Sequence, residues 1–357
     1  MLERYGWNDT LQRHFAPYAA EGLDAARVIV QQRGQYVVAS ADGERSAMLA
    51  GKFVHDAHEG DFPVAGDWLA IAAGPDKTRA VIRHVLPRSG VFKRRAAGPG
   101  APRAQVVAAN VDIALLVASL NADLSVRRME RYLVAAWESG ADPVIVLTKS
   151  DICNDTETHM ADIQAIAFGV PVHAISAVTG EGVEALAACL PRAKTAVLLG
   201  SSGAGKFTLL NVLAGEQLMA TRAIRDSDET GRHTTTHREL VLLPSGALIL
   251  DTPGMRELGL WEASSGVSSA FADVEALVTA CRFSDCHHVS EPDCAVQAAL
   301  ADGTLAQARW GSYEKLQREL AFQERKINPQ ARAEARKVWL RRNKNHRATK
   351  KFLDRDE

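Results

Sequence analysis

The heptapeptide Gly200-Ser201-Ser202-Gly203-Ala204-Gly205-Lys206 stands between an apolar run at 196–199 and a helical run at 209–213. Strand, glycine loop and helix in that order form a phosphate cradle, because backbone N–H groups turn inward on phosphate oxygens at the positive end of a helix. The arrangement demands a strand buried in a parallel sheet with helices on both faces, so it constrains the fold more than any other feature of the chain. Lys206 can reach the β- and γ-phosphates. A ligand-free glycine turn is the plain reading, and the lysine and both flanks count against it. The next position normally carries Ser or Thr, whose hydroxyl ligates Mg²⁺. Here it is Phe207, and Thr208 lies about 100° further round the helix, turned from the metal. The loop keeps its shape while its magnesium ligand is gone. Impaired chemistry is the expectation; a substitution tolerated through another ligand or a water is the rival.

The surrounding pattern agrees. The run 111–118 is apolar enough for a strand buried on both faces. Ser125 can cap a helix carrying Met129, Leu133 and Trp137 at helical spacing. Further buried strands are expected at 144–147 and 172–175, and a strand pair at 238–243 and 247–250 after the loop 220–237. Together these predict a doubly wound α/β domain over about 105–265. Residues 25–90 read as short strands punctuated by Gly and Asp, for which a small closed barrel is the natural solution. A Gly/Pro/Ala-rich linker at 96–102 follows, and six Arg/Lys with no acid lie between Arg83 and Arg103. A chain of 357 residues has room for two or three such domains.

Other nucleotide motifs stand at strand ends. Asp251-Thr252-Pro253-Gly254 follows the last strand; Asp251 can hold a magnesium-bound water and Gly254 can offer its N–H to a γ-phosphate. In the polar loop Gly231-Arg232-His233-Thr234-Thr235-Thr236, a threonine can ligate Mg²⁺. Thr148-Lys149-Ser150-Asp151 follows the strand at 144–147. Asp151 can accept both guanine N1–H and N2–H₂, a pairing adenine cannot make, while Lys149 packs along the base. Asn is commoner than Thr148 at the first position. Ser176-Ala177 fits the loop whose backbone meets guanine O6. Usually the phosphate loop comes first in such a chain and the base-specific loops last. Here the base-specific loops precede it, which is a circular permutation; it preserves the site because every loop lies at a strand carboxyl end.

Composition excludes several classes. The chain is 46% hydrophobic and 24% charged, with 42 Lys plus Arg against 43 Asp plus Glu, so neither wholesale disorder nor a uniformly basic coat protein fits. No apolar run approaches ~18 residues and the first residues carry no secretory signal, so no membrane association is expected. Cys281, Cys286, His288 and Cys294 give C-x4-C-x-H-x5-C, a donor set for a closed structural zinc site, with His287 a competitor for the imidazole. Cys153 and Cys189 stand apart. From Arg318 to Lys351 there are twelve Arg/Lys against three acids, in a helical pattern interrupted by Pro329 and containing Trp339. A solvated helix face is the bland reading; contact with RNA is the sharper one.

Together these residues resemble the ribosome small-subunit-dependent GTPase family RsgA, also called YjeQ, over essentially the whole chain. The resemblance implies a multidomain α/β protein: an N-terminal OB-fold barrel with its linker (1–100), a circularly permuted P-loop GTPase domain (101–268) and a C-terminal zinc-binding domain with a basic helical tail (269–357). It implies binding of GTP and GDP with Mg²⁺, one structural Zn²⁺, and GTP hydrolysis stimulated by the 30S subunit during its late maturation. His233 matches the family's histidine implicated in hydrolysis, and Met255 its hydrophobic residue after DxxG. The expected partners are the 30S subunit, its 16S rRNA and assembly factors, met in the cytoplasm by a monomer. Phe207 departs from the family's Ser or Thr. The rivals are a catalytically dead rRNA-binding assembly factor and a translational GTPase acting on the large subunit or tRNA.

Overall fold

The computed structural model describes residues 1–32, 34–58, 60–74, 79–95, 104–121, 124–215, 238–251, 264–328, 330–334 and 336–337. The expected loop at 231–236, Gly254, Met255 and the tail from 338 lie outside them. The chain divides into two compact units. The first comprises Met1–Arg94, Ala104–Gly259 and Ser265–Ala270; the second is built on Phe271–Glu357.

The first unit opens with a helix missed by the sequence reading, α1 (Asp9–Ala20), where Asn8 Oδ1 accepts from the amides of Thr10 and Leu11. Its polar residues hide a narrow apolar stripe, of which Leu11 and Phe15 are buried. Five strands follow: β1 (Asp24–Gln32), β2 (Gln35–Ser40), β3 (Gly43–Leu49), β4 (Trp68–Ala73) and β5 (Ala80–Val85), with the short helix α2 (Gly51–Asp56) after β3. They pair in the order β1-β2-β3-β5-β4, and β4 returns to β1 to close the barrel. Alternate residues such as Val28, Val38, Leu69 and Ile82 fill its interior.

After the paired strands β6 (Phe92–Arg95) and β7 (Ala104–Ala108) comes the expected α/β layer. Strands β8 (Ile113–Ser119), β9 (Asp142–Thr148), β10 (Val172–Ile175), β11 (Thr195–Gly200) and β13 (Leu248–Asp251) run parallel, and β12 (Arg238–Leu242) lies antiparallel to β13. The order is β10-β9-β8-β11-β13-β12. Helices α3 (Val126–Ser139), α4 (Thr156–Gln164), α5 (Val183–Ala188), α6 (Lys206–Ala214) and α7 (Ser264–Ala270) accompany it. The Ser125 side chain accepts from Arg128 N at the start of α3, and Met129 and Leu133 are buried.

Barrel and parallel layer are continuous. Strand β1 pairs with β12 through Val30↔Glu239 and Gln31↔Arg238, so eleven of the described strands form one sheet. Arg27, on β1, pins the same junction from inside. It is 2% exposed. Its guanidinium donates to the carbonyls of Tyr5, Gly66 and Asn110 and to Thr195 Oγ1, the last at the head of β11. Burial pulls its pKa down to about 10, with Asp112 and Asp67 acting the other way.

The second unit packs α8 (Ala272–Thr279), α9 (Ala295–Asp302) and α10 (Gln307–Ile327). Arg309 stacks over Phe271 with its Cζ 4.0 Å from the ring centre and pairs with Asp273 at 2.8 Å. No helix of the described residues is long and apolar enough to cross a membrane.

Candidate nucleotide site and metal centre

Parallel pairing sets the carboxyl ends of the neighbouring strands side by side: Gly200 lies opposite Val117, and Thr148 opposite both Ser119 and Ile175. Loop 200–206 leaves the central strand β11 and turns into α6 at Gly205, which has φ 86°. A side chain there is strained, and a Cβ would sit 3.3 Å from Thr148 Oγ1. Lys206 opens the helix and folds its Nζ back to donate to the carbonyls of Gly200 (2.8 Å) and Ser201 (2.6 Å), placing the ammonium beside the loop. Ser202 and Gly203 are exposed and Ala204 is buried. Phe207 is 51% exposed and presents a ring without an oxygen; Thr208 is exposed as well. The loop therefore does not fit a first-sphere magnesium contact at this position. Asp251 closes β13.

The two classes of loop are tied together by a bond that sequence reading missed. Thr148, 2% exposed, donates its hydroxyl to Ala204 O at 2.7 Å, with Ala118 O at 3.3 Å. The threonine in place of Asn thus stitches the loop at 148–151 to the phosphate loop. Lys149 follows in the left-handed region at φ 65°, and Ser150–Ile152 form a 3₁₀ turn that leaves Asp151 exposed. Ser150 Oγ is buried without a hydrogen-bond partner among the described residues. In the adjoining loop, buried Ser176 accepts through its hydroxyl from the amides of Val178 (3.2 Å) and Thr179 (3.1 Å), curling the chain around Ala177. His233, Thr234, Thr235 and Gly254 lie outside the described residues.

In the second unit Cys281, Cys286, His288 and Cys294 bring their donor atoms within 4.8 Å of one another. Cys281 Sγ and Cys294 Sγ are each 3.5 Å from His288 Nδ1 and 3.9 Å apart. A tetrahedron with Zn–S of about 2.3 Å and Zn–N of about 2.0 Å has edges of about 3.8 and 3.5 Å, so the donors fit zinc in both kind and spacing. His288, at φ 57°, turns into the cluster, and its ring meets Trp310 edge-on at 5.4 Å; His287 stays exposed. Glu291 shapes the loop by accepting from the amides of His287, Val289 and Ser290, and these backbone bonds, Val289's foremost, lower its pKa to about 2. Cys153 and Cys189 are half-buried, and Cys189 Sγ lies 3.3 Å from His173 Nε2.

The profile of the family described as RsgA GTPase matches residues 85–261. The chain is 47% identical, over 90% of both chains, to a protein of Syntrophotalea carbinolica named Small ribosomal subunit biogenesis GTPase RsgA. It is 44% identical over the full length of both chains to the protein of that name from Opitutus terrae. Among solved structures it is similar to YjeQ from Thermotoga maritima at a TM-score of 0.63, with 26% identity, covering 84% of this chain and 98% of that one. It is also similar to YloQ, described as a circularly permuted GTPase, at a TM-score of 0.58 and 26% identity, covering 84% and 95%. Identity this high, held across nine-tenths of both sequences and across the permuted order of the loops, has one explanation: the chain belongs to the RsgA family of circularly permuted GTPases.

Proposed function

We propose that this chain is a cytoplasmic GTPase that binds the 30S subunit through its rRNA, assists late maturation there alongside assembly factors, and hydrolyses GTP under the subunit's stimulation. The observation that carries the reading is the near-half identity to proteins named small ribosomal subunit biogenesis GTPases. The geometry supports it, since a base-reading loop and a phosphate loop are bonded directly at one sheet edge.

In this reading Asp151 accepts from the guanine edge, Lys149 packs along the base and the Ala177 amide meets O6. The amides of 200–205 and Lys206 hold the phosphates, and Thr208 stays on the far side of the helix. His233 positions the attacking water, while a threonine of 234–236 and Asp251 would organise Mg²⁺ and its water. The family's reaction uses Mg²⁺ to neutralise charge between the β- and γ-phosphates. The barrel (1–100) and the basic tail grip rRNA, the permuted domain (101–268) binds nucleotide, and zinc holds the third segment (269–357) in shape.

Phe207 favours a second reading, in which the protein is an rRNA-binding assembly factor that uses nucleotide structurally. Multiple-turnover hydrolysis on 30S subunits separates the two. Low turnover is expected of the present chain, and Phe207→Ser should raise it at least about tenfold, or ~1.4 kcal/mol of barrier. Equal rates for the two proteins would remove Phe207 as the cause of any defect. Absence of hydrolysis in both would favour the structural role of nucleotide.

A further inference from the structure

The barrel carries a groove remote in sequence from every nucleotide motif. It is a cavity of about 870 Å³, bordered by the end of α1, by α2 and by β5, within the usual ~300–1,000 Å³ of small-ligand sites. Three of its lining residues are aromatic, Tyr18, Phe53 and His84. Tyr18 stacks on His84 with centroids 4.7 Å apart and planes at 25°, and Phe53 meets Phe62 edge-on at 6.2 Å. His84 is exposed, which leaves its outer face open to a further ring. Arg83 and Lys52 are exposed on the lining and have no ion-pair partner among the described residues. Arg88, by contrast, is committed to buried Asp67 at 2.8 Å. Glu21, Asp56 and Asp61 add carboxylates to the lining; Asp56 lies 2.9 Å from His55 Nδ1, and Asp61 accepts from His58 N at 2.9 Å.

We propose that this groove receives one unstacked nucleobase of single-stranded RNA, stacked on His84 and Tyr18, with the flanking phosphates on Arg83 and Lys52. Each part has its physical reason. An aromatic face accepts any base that has left a helix. Arg83 and Lys52, in no ion pair among the described residues, each offer a contact to a backbone phosphate. Glu21 accepts from the N–H donors of a base edge, which phosphates lack. The groove lies on α1, α2 and β5 rather than on the strand 2–3 face that OB barrels commonly use. The proposal rests on the reading that this protein binds rRNA and adds a place and a chemical form to it.

The test uses the full chain, a uridine undecamer carrying one central 2-aminopurine, and the same strand in a duplex. His84→Ala and Arg83→Gln alter exposed side chains, so both variants should melt with the parent. The parent should bind the single strand and quench the 2-aminopurine. Each variant should bind it about tenfold more weakly, His84→Ala should lose the quenching, and duplex binding should stay unchanged. Unchanged single-strand affinity in both variants overturns the proposal. So does an equal loss on strand and duplex, which marks a phosphate contact alone. Sedimentation with 30S subunits separates this from the broader reading. A parent that sediments with 30S but ignores the single strand sinks only the base site. A parent that does not sediment sinks the ribosomal reading. If His84→Ala abolishes sedimentation while neither RNA is bound, the groove docks a protein of the subunit and the base assignment is wrong.

Discussion

Thr148 shows how one side chain can hold a site together. Its hydroxyl bonds Ala204 O at 2.7 Å while nearly all of the residue is buried. Thr148→Val keeps the shape and leaves that carbonyl without its donor. We expect a loss of about 1–3 kcal/mol, read as a lower Tm and weaker GDP binding in titration calorimetry; an unaltered Kd would make the stitch irrelevant to nucleotide. Asp151 makes a separate prediction: if it reads guanine as proposed, Asp151→Asn should shift preference from GTP toward XTP in competition binding, because the carboxylate acceptor for guanine N1–H is removed. The phosphate loop was legible because its strand, glycines, lysine and helix are contiguous in sequence. The Thr148–Ala204 bond was not, because its partners are 56 positions apart and only the folded sheet brings them together. Arg27 is harder still: its partners lie between 22 and 168 positions away, and three of the four are backbone carbonyls, which carry no residue signature.

At the scale of elements, α3 and α7 meet more closely than helices with full side chains allow. A Cβ on Gly266 would lie 2.3 Å from Val134 O, and Glu138 on α3 accepts from Ser265 Oγ and Gly266 N, capping α7. The same turn of α3 receives Val91 N at Ser139 O, so the exit of the barrel and the start of α7 share one support. The Cys₃His cluster likewise joins elements, since Cys281 follows α8 and Cys294 caps α9 by accepting from Gln297 N at 3.5 Å. Cys286→Ala should therefore release the metal and unfold the helices of the second unit, because binding contributes on the order of 10–16 kcal/mol in small zinc modules. Zinc measured by atomic absorption should fall below stoichiometric while GDP binding persists; full retention would remove Cys286 from the ligand set. The strands and the C-x4-C-x-H-x5-C spacing were readable from local pattern. Helix α1 was not, because Arg13, His14 and Pro17 interrupt its apolar stripe.

On the scale of the molecule, the barrel and the parallel layer behave as one body. Arg27 is anchored at once to the barrel, to Asn110 before β8 and to Thr195 on β11. Arg27→Leu should strip the donors from all of these and cost at least about 3 kcal/mol. The barrel's tryptophan fluorescence and the release of bound GDP should then shift to lower temperature together. A barrel that melts early while GDP stays bound would show two independent bodies. The pairing of β1 with β12 also has a consequence during synthesis. Gln31 leaves the ribosome 207 residues before Arg238, the partner its side chain bonds. At roughly 5–20 residues per second that is a delay of about 10–40 s. Through it, a completed barrel would expose the outer edge of β1, with unpaired N–H and C=O groups open to any other nascent strand. Two residues of pairing, Val30 with Glu239 and Gln31 with Arg238, keep that exposed edge short. A protein assigned to assembling ribosomes thus carries, in its own first strand, a seam that closes only when its translation is two-thirds done.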